Sequence, residues 1–102
     1  MAEALPPDDD GIVREHGQSK GRYVLRENGA EAELTYSILS PTMIIADHTG
    51  VPDEMRGSGA GLRLVKRLVA DARAEGVTIV PLCPFVKSQY RRHPEWADVF
   101  QG

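Results

Sequence analysis

From Ile12 to Val51, β-branched and aromatic residues alternate with polar ones between short breaks rich in Gly, Asn, Ser and Pro. That period of two predicts β structure. Four strands are expected, at residues 12–16, 22–27, 31–39 and 43–51, divided by Gly17-Gln18-Ser19-Lys20-Gly21, Asn28-Gly29 and Ser40-Pro41-Thr42. Asn28-Gly29 is a hairpin signal, because both residues tolerate the positive φ of a type I′ turn. The short connections imply an antiparallel meander. The period then changes. Leu62, Val65, Leu68, Val69 and Ala72 fall on one face of a helix, while Arg63, Lys66, Arg67, Ala70 and Arg73 fall on the other, and Gly76 supplies the stop. Residues 77–83 read as an apolar strand that Pro81 interrupts or ends. Pro84 suits the first turn of a shorter helix carrying Phe85, Val86 and Tyr90, which Pro94 stops. A strand, helix and strand of these lengths form a right-handed βαβ unit with parallel strands. The expected fold is therefore mixed α/β: an antiparallel N-terminal meander followed by a βαβα unit in one sheet.

The 102 residues, 41% hydrophobic and 26% charged, describe one soluble domain with a modest core. Residues 1–10 hold little apolar surface and are expected to form a flexible tail, leaving 11–102 as the folding unit. The formal charge of −3 and pI near 5.5 give no global attraction to nucleic acid or to an anionic membrane. Cys83 is the sole cysteine, so no intrachain disulfide is available. No apolar run is long enough for a signal region or a membrane span, and a reducing, cytoplasmic setting is the expectation. His16, His48 and His93 lack paired ligand spacing with Cys83, so no metal site is expected.

Arg56-Gly57-Ser58-Gly59-Ala60-Gly61 lies between a predicted strand and a predicted helix. Several backbone N–H groups there lack intrahelical partners, and the helix dipole adds partial positive charge. Glycines let phosphate oxygens approach the backbone, and Ser58 offers a hydroxyl donor. Arg63, Lys66 and Arg67 occupy the first half of the helix, with no carboxylate before Asp71. Cations so placed oppose the dipole, and a bound multivalent anion such as pyrophosphate reverses the sign. The plainer alternative is a tight strand-to-helix turn flanked by solvated cations. The dinucleotide fingerprint fails because its third glycine position, counted from Gly59, is Leu64, and no Gly-Lys-Ser/Thr follows for a Walker loop.

Val51-Pro-Asp-Glu-Met-Arg-Gly-Ser-Gly-Ala-Gly61 resembles the signature segment of GNAT acetyltransferases, in which an Arg or Gln and spaced glycines cradle the coenzyme A pyrophosphate; Arg56, Gly59 and Gly61 occupy those places. His48-Thr-Gly-Val-Pro52, Val80-Pro-Leu-Cys-Pro-Phe-Val86 and Arg92-His-Pro-Glu-Trp96 are similar to the small stand-alone GNAT-like family. The resemblance implies acetyl-coenzyme A bound through Val51, Arg56, Gly57, Ser58, Gly59, Ala60 and Gly61. It also implies a thioester slot where the strand ending at Val51 splays from residues 77–83. Gly50 fits a bulge or close backbone approach.

Tyr90 matches the GNAT tyrosine that protonates the departing thiolate, a role its phenol pKa of about 10 suits; the alternative is a ring packed on the sheet. Cys83 is an acyl-accepting nucleophile or an inert buried thiol. His48 is the best candidate base, with Glu54 as the alternative; members of the small family frequently carry Glu at the place of Gly50. His93 and Trp96 anchor the end of the last helix.

Ordinary GNATs place two helices between their first two strands, whereas only residues 17–21 stand there in this chain. The acceptor side is thus expected to be open, completed by a second subunit in a homodimer or left open in a monomer. The implied activity is acetyl transfer from acetyl-coenzyme A to a primary amine, on a small molecule or a protein. A coenzyme A-binding sensor and a purely structural partner protein are the competing readings.

Overall fold

The computed structural model describes residues 3–4 and 11–101. Its strands are β1 (Glu3–Ala4), β2 (Ile12–His16), β3 (Lys20–Glu27), β4 (Ala30–Ser40), β5 (Met43–Gly50) and β6 (Thr78–Pro81), with helices α1 (Ala60–Glu75) and α2 (Pro84–Arg92) and single 3-10 turns at Asp53–Met55 and Pro94–Trp96. The strands form one sheet in sequence order. β1 to β5 are antiparallel, and β6 joins β5 in parallel through the α1 crossover. The expected mixed sheet with its βαβα tail is present. Most of the expected N-terminal tail, residues 1–10, lies outside the described residues, and the described pair Glu3–Ala4 runs antiparallel beside Glu15 and His16.

Local chemistry explains the meander. Asn28 and Gly29 both take positive φ, 51° and 79°, the requirement of the tight hairpin between β3 and β4. Residues 17–19 suffice to turn β2 into β3, closed by Gly17 N–H on the Lys20 carbonyl at 2.8 Å. No helix intervenes there, and the face of the sheet away from α1 is left partly open, with Val24 buried on it and His48 exposed. The other face takes Tyr23, Leu25, Ala32, Leu34, Tyr36, Ile44 and Ala46 against Leu64, Val65, Leu68, Val69 and Ala72 of α1, all buried. Each large side chain so buried contributes about 1.5–3 kcal/mol. Gly76, with φ 71°, ends α1. Among the described residues, no helix is long and apolar enough to cross a membrane.

Arg67 corrects the expected polar face of α1. It is only 8% exposed, donating to Asp71 at 3.0 Å and to the Ile12 carbonyl at 3.1 Å. A buried arginine at that position ties the helix to β2. Arg14, equally buried, does the same from the sheet. It donates to Tyr36 Oη at 3.1 Å and forms a two-pronged pair with Glu75. Burial works against the Arg14 charge, but the Glu75 carboxylate and the neighbouring tyrosines more than compensate and hold its pKa above the ordinary value. Tyr23 donates to Asp71 at 2.8 Å, and Tyr36 Oη meets His16 Nδ1 at 2.5 Å. Among the described residues, no buried side-chain polar atom lacks a partner.

Two predictions follow from this layer. Gly21 faces Tyr36 across the β3–β4 ladder, and a Cβ there would stand 2.3 Å from the Tyr36 ring. The ring is held at its oxygen and cannot yield, so Gly21→Ala is expected to cost about 1–3 kcal/mol in urea unfolding. Burial, the largest influence, raises the pKa of both Tyr23 and Tyr36, with Arg14 opposing and Asp71 adding. The folded chain thus keeps protons that the unfolded chain releases near pH 10. Stability should be level below about pH 10 and fall as pH rises above it. Urea titrations through that range are expected to show the slope, and Tyr23→Phe should reduce it.

Candidate functional site

After β5, Val51 and Pro52 lead into the Asp53–Met55 turn, pinned by Met55, which is 3% exposed. The Met55 carbonyl accepts from the Ser58 N–H at 3.2 Å and from Ser58 Oγ at 2.5 Å. Ser58 therefore turns inward, where the sequence suggested a hydroxyl free for a ligand. Gly57 and Gly59 adopt left-handed φ of 87° and 80°, which only glycine takes without strain. No atom lies within 4 Å of where their Cβ atoms would stand, so the backbone is approachable from solvent.

Gly59 is the N-cap of α1 and supplies no side-chain cap. The first helical bond runs from Arg63 N–H to the Gly59 carbonyl at 2.9 Å, and among the described residues the amides of Ala60, Gly61 and Leu62 have no acceptor. Three donors and the positive end of the helix dipole thus face one space. That space is a pocket of about 560 Å³, lined by six of the seven expected cofactor residues, Val51, Arg56, Gly57, Gly59, Ala60 and Gly61, with Thr49, Met55, Leu62 and Phe85 added. Gly61 has its own reason to be glycine: a Cβ there would come within 2.7 Å of the Phe85 ring. It lets α2 close on α1.

The cations are arranged otherwise than the helix pattern suggested. Arg63 pairs with Glu27 at 2.9 Å, and Arg67 belongs to the core network. Arg56 is exposed at the pocket rim, paired with Asp53 at 3.1 Å. The groups facing the loop are therefore backbone amides and Arg56, not a row of cations along the helix.

The sheet opens beside the pocket. β5 and β6 pair from Met43↔Thr78 to Ala46↔Pro81. The last bond between the two segments runs from Cys83 N–H to the Ala46 carbonyl at 2.8 Å. Pro81 has no N–H to continue the ladder, and residues 47–50 keep a partner strand only on the β4 side. In that opening Thr49 Oγ1 lies 3.4 Å from Cys83 Sγ, and Cys83 is 3% exposed. The sequence suggests a bulge or a close backbone approach at Gly50; the bulge itself lies at Asp47, the extra residue between the pairs Tyr36↔Ala46 and Thr35↔His48.

The candidate catalytic side chains do not all converge. Tyr90 is stacked on Phe100, with centroids 4.5 Å apart and planes at 16°. It does not line the pocket, and this stacking is what the packed-ring alternative expects. His48 is exposed and paired across the ladder with Thr35, which puts its side chain on the open face of the sheet, away from α1. Glu54 is exposed in the 3-10 turn. His93 stacks on Trp96 at 4.1 Å and meets Glu95 at 3.0 Å, fastening the end of α2. Among the described residues, no three His, Cys, Asp or Glu side chains are grouped to hold a metal ion. Sequence reasoning missed Thr49 and Phe85 in the pocket. Phe85 had a signal, since an apolar residue just after an N1 proline sits at the helix end nearest the preceding strand.

Comparison with known proteins agrees with this architecture. Protein NATD1 of Mus musculus is 28% identical, with 92% of this chain and 91% of that protein covered. A GCN5-like protein from Staphylococcus aureus, solved in solution by NMR, is 36% identical with a TM-score of 0.66 over 87% of each chain. Residues 22–99 match the family described as GCN5-related N-acetyl-transferase. With its glycine loop, uncapped helix and divided β5–β6 pair, the chain belongs to the GCN5-related N-acetyltransferase family.

Proposed function

We propose that this N-acetyltransferase takes acetyl from acetyl-coenzyme A and passes it directly to a primary amine. One observation carries the reading: the pocket joins three unpartnered helix amides at one side to Thr49, beside the buried Cys83 thiol, at the other. An anionic pyrophosphate, a thin amide-bearing arm and a thioester suit that sequence of surroundings. Gly57, Gly59, Ala60 and Gly61 would hold the pyrophosphate through backbone N–H groups, with Arg56 at the rim. Val51 would pair its backbone with the amide-bearing arm, on the side where β6 has ended. Bound there, the cofactor supplies an activated acetyl group.

The remaining chemistry belongs to this chain. One C–N bond forms and one C–S bond breaks. Two protons leave the ammonium nitrogen: one goes to solvent, and the other replaces the proton taken by the departing sulfur. Cys83, a thiol beside Thr49, holds that proton in place of Tyr90, whose ring is committed to Phe100. A thiol is matched in acidity to a thiolate leaving group. This role needs Cys83 reduced, which fits a cytoplasmic setting. His48, exposed on the open face, is available to relay the ammonium proton to solvent.

Two variants test the reading. Gly59→Leu places a side chain at the amide cradle, where a Cβ would have no protein atom within 4 Å. It should abolish the calorimetric heat of coenzyme A binding while lowering unfolding free energy by only about 1–2 kcal/mol, the cost of a left-handed residue. In acetylation assays over an amine panel, Cys83→Ala should lower kcat roughly a hundredfold, and Tyr90→Phe should leave it within about threefold. The reverse order would return the acid role to Tyr90. Acetyl found on Cys83 by mass spectrometry in the absence of acceptor would contradict direct transfer. Coenzyme A binding with no turnover on any amine would favour a sensor.

A further inference from the structure

The open face of the sheet carries a second concavity, of about 460 Å³, lined by Glu15, Lys20, Arg22, Thr35, Ser37 and Asp47. Its carboxylates are not equivalent. Arg22 donates to Glu15 at 2.9 Å and to Glu33 at 3.0 Å, so both are already neutralised. Hydrogen bonding by Arg22, the largest influence, holds Glu15 below the ordinary carboxylate pKa. Asp47 has no cation partner among the described residues. Ser37 Oγ donates to its Oδ2 at 2.6 Å, which orients the carboxylate and leaves Oδ1 to the groove. Lys20, opposite Ser37 in the ladder, shares the groove without pairing with Asp47.

The backbone explains how Asp47 comes to be there. The bulge inserts it between Ala46 and His48, so Asp47 and His48 both project to the open face where a regular strand would send one of them to the core. Thr49 then returns to the α1 side and its pocket. Asp47 thus stands on one side of β5 and the Thr49–Cys83 pair on the other. It does so just past Ala46, the last residue of β5 that is paired with β6.

We infer that Asp47 is the acceptor-binding residue, receiving a primary ammonium group in the groove over β3, β4 and β5, on the opposite side of the sheet from the glycine loop. The inference rests on the acetyl-transfer reading, because an amine is the acceptor of such a reaction and enters at neutral pH as a cation. An ammonium has three donors for the free carboxylate oxygen and the Thr35 and Ser37 hydroxyls. Asp47 is a binding and positioning residue; it anchors the cation and does not touch the thioester.

NMR titration of the 15N-labelled chain with three probes tests this: n-butylammonium, Nα-acetyl-lysine amide and Nα-acetyl-norleucine amide. The ammonium probes are expected to shift the amides of Thr35, Ser37 and Asp47, and the norleucine probe to leave them unmoved. Shifts with both cations identify a free amine as sufficient; shifts with the lysine probe alone identify a polypeptide acceptor. Asp47→Asn keeps the Ser37 bond and the fold but should weaken the ammonium shifts roughly tenfold or more, with coenzyme A affinity unchanged. Equal shifts with norleucine, no shifts with either cation, or an Asp47→Asn chain that binds ammonium as well as before would overturn the inference. Loss of coenzyme A binding in the unaltered chain would instead strike at the acetyl-transfer reading, and the ammonium titration is independent of it.

Discussion

Where β5 and β6 part decides what this small domain can do. The two strands are paired in parallel over four positions, and Pro81 and the Asp47 bulge end the contact from both sides at once. A proline cannot donate the next hydrogen bond, and a bulge turns the remaining residues of β5 out of register. The backbone beyond Ala46 therefore has a free side, which in a buried sheet would leave costly unsatisfied groups. Here the opening meets the pocket through Thr49, whose Oγ1 lies 3.4 Å from the Cys83 thiol. The proposed cofactor and acceptor sites lie on opposite faces of one sheet, beside the place where its β5–β6 pairing stops.

That opening works only if the α1 N-terminus is held in place beside it. The core network supplies the hold. Arg67 reaches the Ile12 carbonyl from the helix, Arg14 reaches Glu75 from the sheet, and Asp71 joins Arg67 to Tyr23. Buried charges are costly unless every partner is present, and all of these are satisfied. Their directional geometry fixes the rotation of α1 about its axis, which apolar packing alone leaves looser. Gly61 then permits Phe85 to close the other wall. Arg67, which looked like a ligand for an anion in the sequence, is thus used to aim the helix whose amides line the pocket.

Much of this was legible in the sequence. Asn28-Gly29 fixed a hairpin, the alternation from Ile12 onward fixed the meander, and the change of period after Gly61 fixed α1, because each of these signals is local. The glycine loop was also readable, since positive φ at Gly57 and Gly59 is a backbone requirement that few residues meet. Arg67 was misread because helical periodicity assigns a face by position, whereas a long cationic side chain enters the core when Asp71 and a strand carbonyl await it. The sequence leaves Tyr90 open between an acid and a packed ring because its stacking partner, Phe100, lies ten positions later. The bulge at Asp47 leaves no periodic signature, as one extra residue shows only when its partner strand is known. Thr49 and Cys83 are brought together over 34 positions, a distance no local pattern reports.

The central claim is that the uncapped start of α1 is an anion site for coenzyme A. Its most direct test is the amide spectrum of the 15N-labelled chain during titration with coenzyme A. Saturable downfield movement of the Gly59, Ala60, Gly61 and Leu62 amides is expected as they gain phosphate acceptors, with the Arg14–Tyr36 region of the sheet unmoved. Amides of the loop that stay in place at roughly millimolar coenzyme A would contradict it.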